Sequence, residues 1–276
     1  MKKVVFNSLL IASLAAMVAC DEEDPLGTDG SAEAKLGEYY LEAESIVSYL
    51  YNISDRAYND STFNASDSTA IWGIPVVATP ASAMEFRFGN GITGNDGITR
   101  KGMIMVTENG DFNSNGSLTL NFQNFRVDDK KIGGPNTSMS ISNSGNGTFG
   151  VSVTDFSVND EFTYSGSKNI TWNTGQSTST EADDNYNVGG SFSGTESATG
   201  NSISGNLTEA LVYDRSCAYG VVSGLVDFTL AGDSTLVANS GSVDFKKDDG
   251  CKNAAVITIN TESGGKLVFP KTFNGF

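Results

Sequence analysis

The stretch LTLNFQNFRV, residues 118–127, decides how this chain folds. Leu118, Leu120 and Phe122 stand two apart, the period of a β-strand with one buried face. Phe125 and Val127 continue the pattern one residue out of phase. An unbroken strand would turn both to the opposite face, and one extra residue at Gln123-Asn124, a β-bulge, returns them to the first. The stretch FGVSVTDFSV, residues 149–158, repeats the spacing 31 positions later with Phe149, Val151, Val153, Phe156 and Val158, and puts a second bulge at Thr154-Asp155. Two strands that bend alike belong to a curved sheet. The pair reads either as a duplicated hairpin or as two strands alike by chance.

Outward from these strands the texture is uniform. From Ala83 onward short alternating runs are broken by Gly, Asn, Asp and Ser, in a chain with 31 glycines and five prolines. Strands are expected near 84–89, 98–107, 117–127, 137–142, 148–158, 161–173, 186–193, 202–213, 219–230, 241–246, 254–260 and 265–270. Residues 83–276 therefore read as one all-β domain, a curved antiparallel meander completed as a sandwich, a roll or a half-barrel. One N-terminal amphipathic helix precedes it over 32–58, where Leu36, Tyr39, Tyr40, Ala43, Ile46, Val47, Leu50, Ile53 and Ala57 recur at steps of three and four and Ser31 stands ready as N-cap. Residues 59–82 form a linker that packs on the sheet and covers an edge with Trp72, Ile74 and Val76.

The first 31 residues carry the address. Met1-Lys2-Lys3, the apolar stretch Val4 to Ala19 and the small residue before Cys20 have the layout of a signal peptide over 1–19, too short for a comfortable membrane span. Ala19-Cys20 resembles the lipobox of bacterial lipoproteins, although Met17 stands where leucine is usual. The resemblance implies cleavage before Cys20 and a membrane anchor on its sulfur; the alternative is a plain secretory signal. Residues 20–31 then form an acidic flexible tether. Its Asp21-Glu22-Glu23-Asp24 looks like the surface-export signal of Bacteroidota lipoproteins, which implies an outer-membrane lipoprotein exposed at the cell surface, with a periplasm-facing one as the alternative.

The formal charge is −16, and losing Lys2 and Lys3 with residues 1–19 takes it to −18. Such a chain repels phosphate backbones, so nucleic acid is not an expected partner. The membrane is one, through the anchor. Past Cys20 only Cys217 and Cys251 remain, an even count in an exported protein, so a disulfide between them is expected, with two reduced buried thiols as the alternative.

Several stretches after Arg100 resemble a family of uncharacterised Bacteroidota exported lipoproteins with a β-rich domain. They include TRKGMIMV at 99–106, FRVDDKKIGG at 125–134, DDNYNVGGSFSG at 183–194, SCAYGVVSG at 216–224 and GCKNAAVIT at 250–258. The resemblance implies an exported β domain and a shared place for Cys217 and Cys251, and it carries over no functional residue.

Histidine is absent, which removes Ser-His and Cys-His nucleophile pairs and histidine metal ligands. A carboxylate pair needs none, and Glu108, Asp111, Glu161, Glu181 and Asp184 are present, though no spacing pairs any two of them. No cofactor is expected, with calcium as the one candidate. Asp111, Asn113 and Asn115 followed by Gly116 match the first half of a calcium loop, but position twelve is Phe122, and Asn115-Gly116 is also a hairpin turn. Trp72, Trp172, Tyr186 and Tyr219 are candidate stacking platforms for sugar, Trp172 sharing the inward face of Ile170. Ser61, Ser68 and Ser234, each within Asp-Ser-Thr, look like the O-glycosylation sequence of Bacteroidota. The expected function is a non-enzymatic surface binding or structural module that engages glycan or another envelope component. The alternatives are a half-barrel carrier of lipid or hydrophobic ligand and a histidine-free glycan hydrolase.

Overall fold

The computed structural model describes residues 29–272 except 81, 95–96, 179, 218–220, 234–235 and 246–253. A long helix α1 (Ser31–Asn59) and a short α2 (Ser61–Ser66) come first. The strands are β1 (Ser68–Ile71), β2 (Ile74–Thr79), β3 (Ser82–Thr93), β4 (Thr99–Asn109), β5 (Ser117–Val127), β6 (Lys130–Lys131), β7 (Ser138–Asn143) and β8 (Thr148–Val158). They continue with β9 (Phe162–Thr174), β10 (Asn185–Glu196), β11 (Ser202–Asp214), β12 (Val221–Ala231), β13 (Ala238–Phe245), β14 (Ala254–Thr261) and β15 (Lys266–Thr272).

All fifteen strands belong to one antiparallel sheet whose spatial order is the chain order, except that the short β6 pairs with β5 off the main path. A single sheet removes the sandwich. β1 and β15 are its two edges and are not hydrogen bonded to each other, so it is an open roll of half-barrel type. Both edges are blunted: β1 has four residues, and β15 carries Pro270 with Lys266 and Lys271.

Both expected bulges are present. On β5 the register jumps from Lys101↔Arg126 to Met103↔Gln123, with Asn124 at φ 50. On β8 it jumps between Val153 and Phe156, with Asp155 at φ 48. Phe125 and Phe156 consequently turn inward and are buried, with Phe122 packed against both. Opposite the first bulge only glycine fits: Gly102 has φ 85, and a Cβ there would lie 2.3 Å from the Asn124 carbonyl oxygen.

The sheet wraps α1. Eighteen of the helix's 29 residues are buried, and it touches strands as far apart in sequence as β1, β8, β9, β11 and β14. The expected stripe is buried except for Tyr39, which is half-buried at the entry end, and Glu44, Ser45, Ser48 and Ser54 outside it are buried too. Burying a carboxylate needs a partner, and β9 supplies it. Lys168 Nζ donates to Glu44 Oε1, Tyr164 donates to Glu44 Oε2 at 3.1 Å, and Ser48 Oγ shares a proton with the Tyr213 hydroxyl at 2.6 Å.

The start of α1 departs from the sequence reading. Gly30, at φ 73, is the N-cap rather than Ser31, whose N–H instead bonds Asp29 Oδ1 at 2.9 Å. Glu33 reaches across to accept the amides of Val237 and Ala238, tying the first turn to β13. Residues 61–79 do more than cover an edge, since α2, β1 and β2 make it, with Ile74 and Val76 buried and Trp72 half-buried in the turn between.

The outward face is polar. One cross-strand row runs Thr119, Ser140, Ser152, Ser167, Ser191 and Asn206. This is not the apolar band that a membrane-spanning barrel turns to lipid. Among the described residues no helix is long and apolar enough to cross a membrane.

Candidate functional site

The roll has two ends, and α1 runs between them. The entry end is where Gly30 begins the helix; there Lys35 pairs with Glu196 at 2.6 Å and the Tyr39 hydroxyl donates to Glu161 at 3.4 Å. The far end is fixed by contacts with the last turns. Tyr58 donates to Glu108, and Arg215 lies 3.7 Å from Asp55. A helix of this length separates the ends by roughly 42 Å at 1.5 Å per residue.

Both tryptophans of the chain stand at the far end. Trp172 closes β9, on the same face as Ile170 but one step nearer solvent, which leaves it half-buried where the sequence placed it inside. Its strand partner is Tyr186, and the rings stack with centroids 5.5 Å apart and planes 21° from parallel. Asp184, just before β10, accepts the indole N–H on Oδ1 at 3.2 Å and the Tyr186 hydroxyl on Oδ2 at 3.4 Å. Arg215, just after β11, lies over Tyr186 at 5.3 Å and donates to Asn52 of α1 at 3.4 Å. Burial pushes the Asp184 carboxyl above its ordinary value against the pull of Arg215 and the indole bond. The Tyr186 hydroxyl is raised too, chiefly by burial.

Trp72 occupies the β1–β2 turn at φ 50, with Arg56 of α1 over its ring at 5.4 Å and Tyr49 6.0 Å away. The two tryptophans thus flank different sides of the same last turns of α1. Aromatic faces framed by Asn52, Asp55, Arg56 and Arg215 combine a stacking surface with hydrogen-bonding groups, the chemistry a sugar ring needs.

The other expected sites fare differently. Asp111 caps a single 3-10 turn by accepting the Asn113 N–H at 3.0 Å, Asn115 is left-handed at φ 80, and Phe112 is buried between them. That is the geometry of a hairpin turn, pinned by the Phe112 ring packing against Tyr58 and Phe149. Among the described residues no group of three or more His, Cys, Asp or Glu side chains is placed to hold a metal. Of the five carboxylates considered for hydrolysis, Glu161 lies at the entry end, and Glu108 is engaged by Tyr58 and by the Phe112 N–H at 2.9 Å. Ser61 and Ser68 are exposed. Cys217 is buried. Cys20, Tyr219, Ser234 and Cys251 lie outside the described residues.

Sequence reasoning missed Arg215 and Arg56. Neither has a local motif, since each acquires meaning only when the roll brings it over an aromatic ring. It also missed a cleft of about 250 Å³ along the open seam, between α1, the ends of β4–β6 and β15. Two ion pairs stand at it, Glu38–Lys271 at 2.5 Å and Glu42–Lys130 at 2.6 Å, and Arg100 lies 3.5 Å over Tyr49 within.

Comparison of the chain with protein-family models, with curated proteins and with solved structures finds no match.

Proposed function

We propose that this chain is a lipid-anchored outer-membrane protein, facing the cell surface, that binds glycan without catalysis at the rim around Trp172 and Trp72. One observation carries the reading: both tryptophans stand half-exposed at the end of α1 opposite the point where the tether enters. An anchor on Cys20 holds the entry end to the membrane and turns the aromatic rim outward. The ten residues from Cys20 to Gly30 span at most about 36 Å when extended. The strongly acidic surface, −16 overall, disfavours nucleic acid and anionic headgroups as partners.

The carrier reading is weaker because α1 fills the concave face that an apolar ligand would need. The hydrolase reading is weaker because Asp184 and Glu108 serve as acceptors for neighbouring side chains.

A glycan array probed with residues 29–276, with and without calcium, tests the proposal. Saturable binding that is lost in Trp172→Ala and weakened in Trp72→Ala is expected. Silence across neutral and acidic glycans, or binding indifferent to both substitutions, refutes it.

A further inference from the structure

We infer that Asp184 is a proton-operated latch beneath Trp172, so that the exposure of the indole at the rim changes with pH. Its consequence for ligand rests on the glycan reading above, while the latch itself does not.

The geometry is that of a keystone. The Asp184 carboxylate is only 6% exposed, and it joins the ends of three strands. Its two oxygens hold Trp172 of β9 and Tyr186 of β10, and its backbone carbonyl accepts the Arg215 N–H beyond β11 at 3.0 Å. Oδ1 sits where a Cβ on residue 175 would be, 2.0 Å away, so glycine at that position is what makes room for the carboxylate. The charged and titratable groups acting on it are Asp183 from its own turn, Arg215 from beyond β11 and Tyr186 from β10, while Asp55 and Tyr51 of α1 act on Tyr186 behind it.

Ionised, the carboxylate accepts from both rings. Protonated, it keeps one good acceptor oxygen and gains a donor. The Tyr186 hydroxyl can turn and accept; the indole N–H can only donate. A proton on Oδ1 therefore breaks the Trp172 bond, and a proton on Oδ2 leaves it a neutral bond of roughly half the strength. The first form releases Trp172 and the second weakens its hold, so protonation frees the ring to move toward solvent.

The folded state raises this group's pKa, so protonated Asp184 contributes stability that is lost as pH rises through the folded value. The latch is closed at neutral pH at some expense to the fold, and acid releases it.

The test uses the Trp72→Phe chain, in which Trp172 is the sole tryptophan. Its emission and its quenching by acrylamide are followed from neutral pH into acid. One transition is expected, with a midpoint above the ordinary aspartate value of about 3.9 and greater quenching on the acid side. Asp184→Asn abolishes it, while Asp183→Asn and Asp55→Asn keep it. Tyr186→Phe removes one donor to the carboxylate and moves the midpoint upward, so the inference stays testable if the asparagine variant fails to fold. No transition, or the same transition in Asp184→Asn, overturns the latch. Glycan binding by the native chain is measured separately. A titrating latch with no glycan bound at any pH removes the rim's function alone, and pH-independent emission with glycan bound removes the latch alone.

Discussion

Lys168 and Glu44 form an ion pair in which both side chains are at most 5% exposed, inside a box of tyrosines and Ser48. Removing one partner strands a charge in an apolar interior, whereas removing both leaves a hole that apolar groups can fill. Lys168→Met should therefore cost about 3–5 kcal/mol in urea unfolding, and Glu44→Leu with Lys168→Met should recover most of that. A double-mutant cycle gives the coupling. At the first bulge, Gly102→Ala should cost about 1–3 kcal/mol, because its φ of 85 and the nearby Asn124 carbonyl both oppose a Cβ. Asn124→Gly should stay within about 1 kcal/mol of the parent, since a glycine at φ 50 is unstrained. Equal losses in the two variants would mean that the bulge does not set the close approach.

At the scale of elements, legibility followed period and failed where burial was not apolar. The two bulges could be read because Phe125 and Phe156 broke a strict alternation in a way only an inserted residue repairs. The strands from β3 onward, apart from the two-residue β6, were visible for the same reason. β1 was hidden because a strand of four residues offers too few alternations to register, and β2 because Pro75 interrupts its run. The wrapping of α1 was hidden too: its buried Glu44, Ser45, Ser48 and Ser54 look like a solvated face, and only the fold reveals the partners that β9 and β11 bring to Glu44 and Ser48. At the candidate site Trp172 and Tyr186 were readable as aromatics, but Arg215 joins them only through the turn after β11. Because α1 packs into the concave face with eighteen buried residues, a chain beginning at residue 61 should lack it as a core. Thermal unfolding followed by circular dichroism should lose its cooperative step, with a hydrophobic dye now bound. A sharp transition in that shortened chain would show that the sheet stands alone.

For the molecule as a whole, the anchor and the charge make separate predictions. Intact mass spectrometry of protein from native membranes should show a chain beginning at Cys20 with acyl mass on it; a retained Met1 or a bare thiol refutes the anchor. A net charge of −16 repels itself across the surface, so added sodium chloride should raise the melting temperature, most steeply at low ionic strength. The sheet also has a topology with almost no crossings, each long strand lying beside its predecessor. In a chain that emerges from the ribosome or an export channel N-terminus first, the helix comes out before any strand it will hold. Each following hairpin then docks on a mandrel already present, and each long strand pairs with the one that came out just before it. Assembly becomes a winding process, and circular permutants that deliver the helix last should refold more slowly than the natural order.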